Sequence, residues 1–344
     1  MKINLERKVD KKEKNIGIEI LRIYLSMTVV NSHCYHASKN IRYIILKILK
    51  NRLHVPTFFI ISFFYFQITL ISRNIEKFRK RFERLLIPYL FRPLINWLLN
   101  NLIMFLFKIK LRNSFQDLKI QLLTGHCFNG VFWFQWDLIF EVFLFIIIEI
   151  ISHKYLIYII INSALLAYLF QYSQYNYKIF SKLCFEQRYT FGRFAEIIPY
   201  SVSGFLLSYF QIIVKLKKNR IKIINLCLLI FASTSKYDFF LNPKGFQYQG
   251  LKLNILCICF FIIFSMIPNN IFKDHLIKVI LQISKFTPGI YYLHVPIKNY
   301  FKYCFKVIKK KEIYGAILIY IISFNISIIG NFIFKKTMLI NLFQ

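Results

Sequence analysis

Apolar runs of roughly 15–22 residues recur along the whole of this 344-residue chain, separated by short stretches rich in lysine and arginine. Wound as an α-helix, a run of that length matches the hydrocarbon thickness of a bilayer. A backbone in lipid must satisfy its own hydrogen bonds, so repeated runs of this kind point to a helical bundle. The pattern predicts an all-α, polytopic membrane bundle of about ten transmembrane helices. They fall near 16–36, 55–72, 85–107, 131–151, 155–171, 194–214, 222–235, 251–267, 276–297 and 313–333. Residues 1–15 read as a basic cytoplasmic tail, 16–333 as one transmembrane domain and 334–344 as a short C-terminal tail.

The formal net charge of +32 raises the question of nucleic acid, and its distribution answers it. The basic residues sit in the gaps between apolar runs, where they flank helices and meet anionic headgroups. The partners expected are therefore membrane lipids and no nucleic acid. The compact clusters RNIEKFRKRFER (73–84) and KLKKNR (215–220) place both termini on the cytoplasmic side of the cell's inner membrane. The first apolar run lacks a small-residue cleavage site and carries charges, so it reads as retained rather than as a signal peptide.

Seven scattered cysteines without a CxxC pair predict neither a disulfide framework nor a metal site. His36, His54, His126, His153 and His275 fall in loops or at span ends without ligand spacing. No metal is expected.

The first run, IGIEILRIYLSMTVVNSHCYHA (16–37), holds Arg22 and His33 eleven residues apart. Eleven residues are close to three helical turns, a rise of roughly 16 Å, so both lie on one face. Glu19 and Ser26 fall on or near that stripe. Either Arg22 merely pairs with Glu19 and His33 is interfacial, or the stripe is one wall of a site. In the fourth run, Asp137 and Glu141 are four apart and share a face. At that depth they should face the bundle interior and find a partner, Arg22 or Arg92, or else line a substrate channel. Trp133 and Trp136 stand at the edge of the same run, where an aromatic belt is the ordinary role; Trp133 is also a candidate for the channel wall. Pro56 and Pro88 read as residues that open spans.

The segment EILRIYLSMTVVNSH resembles the opening helix of the membrane acyltransferase-3 family, with Arg, ten residues and His. Three later segments resemble that family in the expected order: HVPTFFIISFFYF (54–66), RKRFERLLIPYLF (79–91) and GIYYLHVPI (289–297). FWFQWDLIF (132–140) is a looser match and IIPYSVSGFLL (197–207) a weak one. The sequence departs from the family pattern at Phe63, where a glycine is usual, and in the fourth span. There a tyrosine is missing and Asp137 and Glu141 stand instead.

The resemblance implies transfer of an acyl group, usually acetyl, from cytoplasmic acetyl-CoA. The acceptor would be a hydroxyl of a surface polysaccharide or its lipid-linked oligosaccharide precursor, with no permanently bound cofactor. His33 would serve as base or acyl relay, since imidazole titrates near working pH. Arg22 and the cluster Arg79, Lys80, Arg81 and Arg84 would hold the phosphates of CoA, because guanidinium groups grip phosphate in a fork. Plain positive-inside anchoring is the other reading of that cluster. His294 would orient the acceptor or pack between helices, and a partner protein would be one way to complete the transfer. A transporter, flippase or polymerase for lipid-linked sugars is the alternative. No inverted repeat is visible, the loops are modest, and the Arg-ten-His spacing favours the acyltransferase.

Overall fold

Long apolar runs broken by capping residues dictate an all-helical chain, and the computed structural model is all-helical. It describes residues 14–34, 53–108, 114–125, 132–177, 191–241, 250–301, 312–337 and 340, with no strand among them. The helices in order are α1 (Ile16–Cys34), α2 (His54–Ile71), α3 (Ile75–Phe107), α4 (Phe115–Thr124), α5 (Phe132–Ser152), α6 (Leu156–Tyr177) and α7 (Phe191–Tyr209). There follow α8 (Ile212–Leu216), α9 (Arg220–Leu241), α10 (Leu251–Ser265), α11 (Asp274–Lys285), α12 (Thr287–Tyr300) and α13 (Glu312–Ile333). Among the described residues, three stretches are long and apolar enough to cross a membrane: His54–Ile71, Trp133–Tyr172 and Gly315–Ile333. A fourth, Arg193–Tyr209 with Ile212–Ser233, bends by 61° at its break. Gln211 there adopts a left-handed backbone with φ 52°.

Several expected boundaries move. The basic stretch 73–84 is helix rather than loop: Asn74 caps Lys77 N, and α3 runs 33 residues, about 50 Å. Pro88 lies inside that helix and does not open it; Pro56 is at the start of α2 as expected. The 108–130 connection contains α4, started by a Ser114–Asp117 capping box. The span expected at 276–297 is two helices, broken at Phe286 just before Pro288.

Side-chain placement is that of a bundle in lipid. On α3, Leu94, Leu98, Leu102 and Phe105 are exposed while Tyr89, Arg92 and Asn96 are buried, so polar groups point in and apolar groups out. α1 lies against α2 and α10 on one side and α11, α12 and α13 on the other. It is the wall shared by two halves of the bundle. α2 and α7 pack backbone to backbone. A Cβ on Gly204 would stand 2.2 Å from the Ile60 carbonyl oxygen, so only glycine lets the backbones meet. Cys227, Cys257 and Cys259 are free and buried.

Candidate active site

Glu19, one turn into α1, is buried, and one of its carboxylate oxygens accepts two hydrogen bonds. Arg22 Nη1 donates at 2.9 Å, and Ser284 Oγ donates from the last turn of α11. The pair fixes the guanidinium. Arg22 remains 27% exposed, and the surface it shows faces a cavity of about 360 Å³. Arg81 and Arg84, three apart on α3, line the same cavity. Arg81 donates to the Ser62 carbonyl and lies 5.4 Å from the Phe66 ring centroid; Arg84 is exposed. Three guanidinium groups thus gather around one space. Phe58, Phe134, Tyr291 and Tyr292 also line it. Tyr291 packs against Phe134 at 5.3 Å and Phe58 at 6.2 Å, centroid to centroid.

Tyr291 also touches what lies beyond, with its ring 6.1 Å from that of His294. The imidazoles of His33 and His294 are 5.1 Å apart. His294 is fully buried, and its Nδ1 lies 3.2 Å from the Ile290 carbonyl oxygen. A carbonyl only accepts, so Nδ1 carries the proton in the neutral ring and Nε2 keeps its lone pair. That Nε2 has no hydrogen-bond partner among the described residues. Lys298 donates to the His33 carbonyl, satisfying an orphan acceptor in the last turn of α1 and tying α12 to it.

The expected residues therefore fall into three groups. Arg22, Arg81 and Arg84 meet at the cavity with Glu19 behind Arg22, and His33 meets His294. Arg79 and Lys80 turn away. They pair along the outer face of α3 with Glu83 at 3.5 Å and Glu76 at 2.6 Å. The Lys80 hydrogen bond holds the exposed Glu76 carboxyl below its usual range.

Asp137 and Glu141 are buried as expected, but their partner is neither Arg22 nor Arg92. Arg193 on α7 grips Asp137 with two bonds, of 2.7 and 2.9 Å, and Ser201 donates to Glu141. The Arg193 guanidinium also lies 5.3 Å from the Trp133 ring and 5.8 Å from that of Trp136. Between the two carboxylates it is Leu138 that reaches the cavity. Sequence reasoning missed Ser284 and Arg193. Ser284 carries no signal, being a lone serine inside the run expected at 276–297. Arg193 had one, a cation at the mouth of an apolar run opposite two unexplained carboxylates.

The sequence profile of the family described as Acyltransferase domain (Acyl_transf_3) matches residues 15–336. The chain belongs to the acyltransferase-3 family. The matched segment runs from just before α1 to just past α13. The arginine cavity and the histidine pair of this membrane acyltransferase both fall inside it. No curated protein and no solved structure matches the chain.

Proposed function

We propose that the protein transfers an acyl group, acetyl by default, from cytoplasmic acetyl-CoA to a hydroxyl of a surface polysaccharide or its lipid-linked precursor. The observation that carries this reading is the continuity of the site. Three guanidinium groups line one cavity, aromatic rings form another part of its wall, and Tyr291 in that wall packs against one of two neighbouring imidazoles. Arg22, Arg81 and Arg84 would bind the phosphates of CoA. The pantetheine arm would run along Tyr291 and Tyr292 toward the histidines. The rise of roughly 16 Å from Arg22 to His33 leaves room for an extended arm.

Transfer breaks the thioester C–S bond and forms an ester C–O bond. A neutral imidazole takes the proton from the acceptor hydroxyl and returns it to the departing thiolate, so no proton is gained or lost overall. Glu19 and Ser284 hold Arg22 in place. Both termini would then be cytoplasmic, with the arginines in the inner half of the inner membrane.

The test is the acyl content of the surface polysaccharide in a deletion strain complemented with wild type, His33→Ala or Arg22→Ala at matched expression. Acylation should return with wild type alone while polymer export stays normal. Unchanged acylation with failed export or altered chain length would overturn the reading in favour of a transporter or polymerase.

A further inference from the structure

Arg92 is a buried cation that does not line the donor cavity. It is 94% buried in the middle of α3, and none of the ion pairs among the described residues includes it. Its contacts are a π-face and a carbonyl: the guanidinium carbon lies 3.7 Å from the Tyr292 ring centroid, and Nη1 lies 3.5 Å from the Pro288 oxygen. Nη2 has no hydrogen-bond partner among the described residues. A buried cation without a counter-charge is among the most costly arrangements a membrane protein can hold, and such a residue marks a ligand by default.

Two neighbours share the deficit. Among the described residues, Asn96, one turn along the same buried face, leaves Nδ2 without a partner, and Gln121, fully buried on α4, leaves both Nε2 and Oε1 without one. The register of α4 puts Gln121 between the levels of Tyr89 and Arg92. Trp97 packs on Phe115 at 6.4 Å, and Tyr89 donates to the Leu122 carbonyl, so the two helices run antiparallel with those residues opposed. The unmet groups are N–H donors on Arg92, Asn96 and Gln121 against a single acceptor. That is a donor-rich, cationic set, suited to carboxylate or phosphoryl oxygens rather than to neutral hydroxyls.

We infer that Arg92, Asn96 and Gln121 form a subsite for an anionic oxygen group of the acceptor, a sugar carboxylate or the phosphoryl group of a lipid carrier; that it is the acceptor's rests on the acyltransferase reading. Tyr292 is the shared wall, lining the donor cavity and carrying Arg92 on its ring. Its level on α12 is two residues, about 3 Å of rise, from that of His294. An acceptor anchored at Arg92 would present a neighbouring hydroxyl to the histidine pair.

The test is thermal protection of the full chain in nanodiscs of zwitterionic lipid, with three probes: methyl glucuronide, a short polyprenyl phosphate and the neutral methyl glucoside. One or both charged probes should protect the wild type and the glucoside should not; which one protects names the source of the charge. Arg92→Gln and Gln121→Leu should each weaken that protection by about tenfold or more, while CoA binding is retained. Gln121→Leu guards against misfolding, because removing an orphaned amide should keep or raise the Tm. No protection by either charged probe would overturn the inference, as would equal protection in Gln121→Leu. Arg22→Gln separates the two claims. It should lose CoA binding but keep the charged-probe response, whereas a wild type that shows the response but no acyl transfer would sink the enzyme reading and leave an anion site standing.

Discussion

The imidazoles of His33 and His294 lie 5.1 Å apart, centroid to centroid, with their planes tilted by 47°, brought together by α1 and α12 from opposite ends of the chain. The hydrogen bond at Nδ1 fixes the tautomer of His294, and its Nε2 lone pair is the unoccupied one. Either ring therefore suits proton transfer, and the two positions should behave as a unit. His33→Ala and His294→Ala are each expected to lower turnover by about 10²–10⁴-fold, with the double variant little worse than the singles. Acetyl-CoA affinity should be unchanged in all three. Turnover and donor binding, measured on the same preparations, check this.

The approach of α2 to α7 makes a second prediction, about stability alone. A methyl group on Gly204 would meet backbone, with Ile60 O at 2.2 Å and Ile60 Cα at 2.8 Å, and backbone cannot rotate away. Gly204→Ala should cost at least the upper part of the about 1–3 kcal/mol typical of overpacking. A lower Tm of the detergent-solubilised protein would show it, and an unchanged Tm would mean the helices are further apart than described.

Asp137 and Arg193 form the best-defined buried ion pair among the described residues. Breaking such a pair leaves one charge uncompensated, so Asp137→Leu or Arg193→Met should destabilise by about 3–5 kcal/mol. The double variant Asp137→Leu with Arg193→Met should recover most of that loss, because an apolar pair leaves no orphan behind. A double-mutant cycle on Tm decides. Additive losses would mean that the two side chains act separately.

What the sequence disclosed follows from what periodicity can see. Arg22 and His33 were legible because eleven residues on one helix fix a shared face, whatever surrounds the helix. The partner of Asp137 was not, because Arg193 lies 56 residues away and its pairing depends on how α5 meets α7. The helical start of α3 escaped hydropathy for a physical reason. IEKFRKRFE projects beyond the apolar stretch, and its helicity shows instead in the Asn74 cap and the Glu76–Lys80 and Arg79–Glu83 pairs one turn apart. The break between α11 and α12 had a visible sign in Pro288, which a count of apolar residues passes over.

That helical start also sorts the basic cluster into two faces, which yields the last prediction. As a loop, residues 79–84 would offer four interchangeable cations. As a helix, Arg81 and Arg84 look into the cavity while Arg79 and Lys80 pair with carboxylates on the outer face. Arg81→Gln and Arg84→Gln should therefore each raise the KM for acetyl-CoA by roughly 10–100-fold, the worth of one charged hydrogen bond. Arg79→Gln and Lys80→Gln should move it by less than about fivefold, since exposed helical pairs contribute little. Equal effects at all four positions would mean that the cluster attracts the donor by bulk charge. Raising the salt concentration distinguishes that case, because screening weakens attraction by bulk charge at a distance far more than a direct guanidinium–phosphate contact.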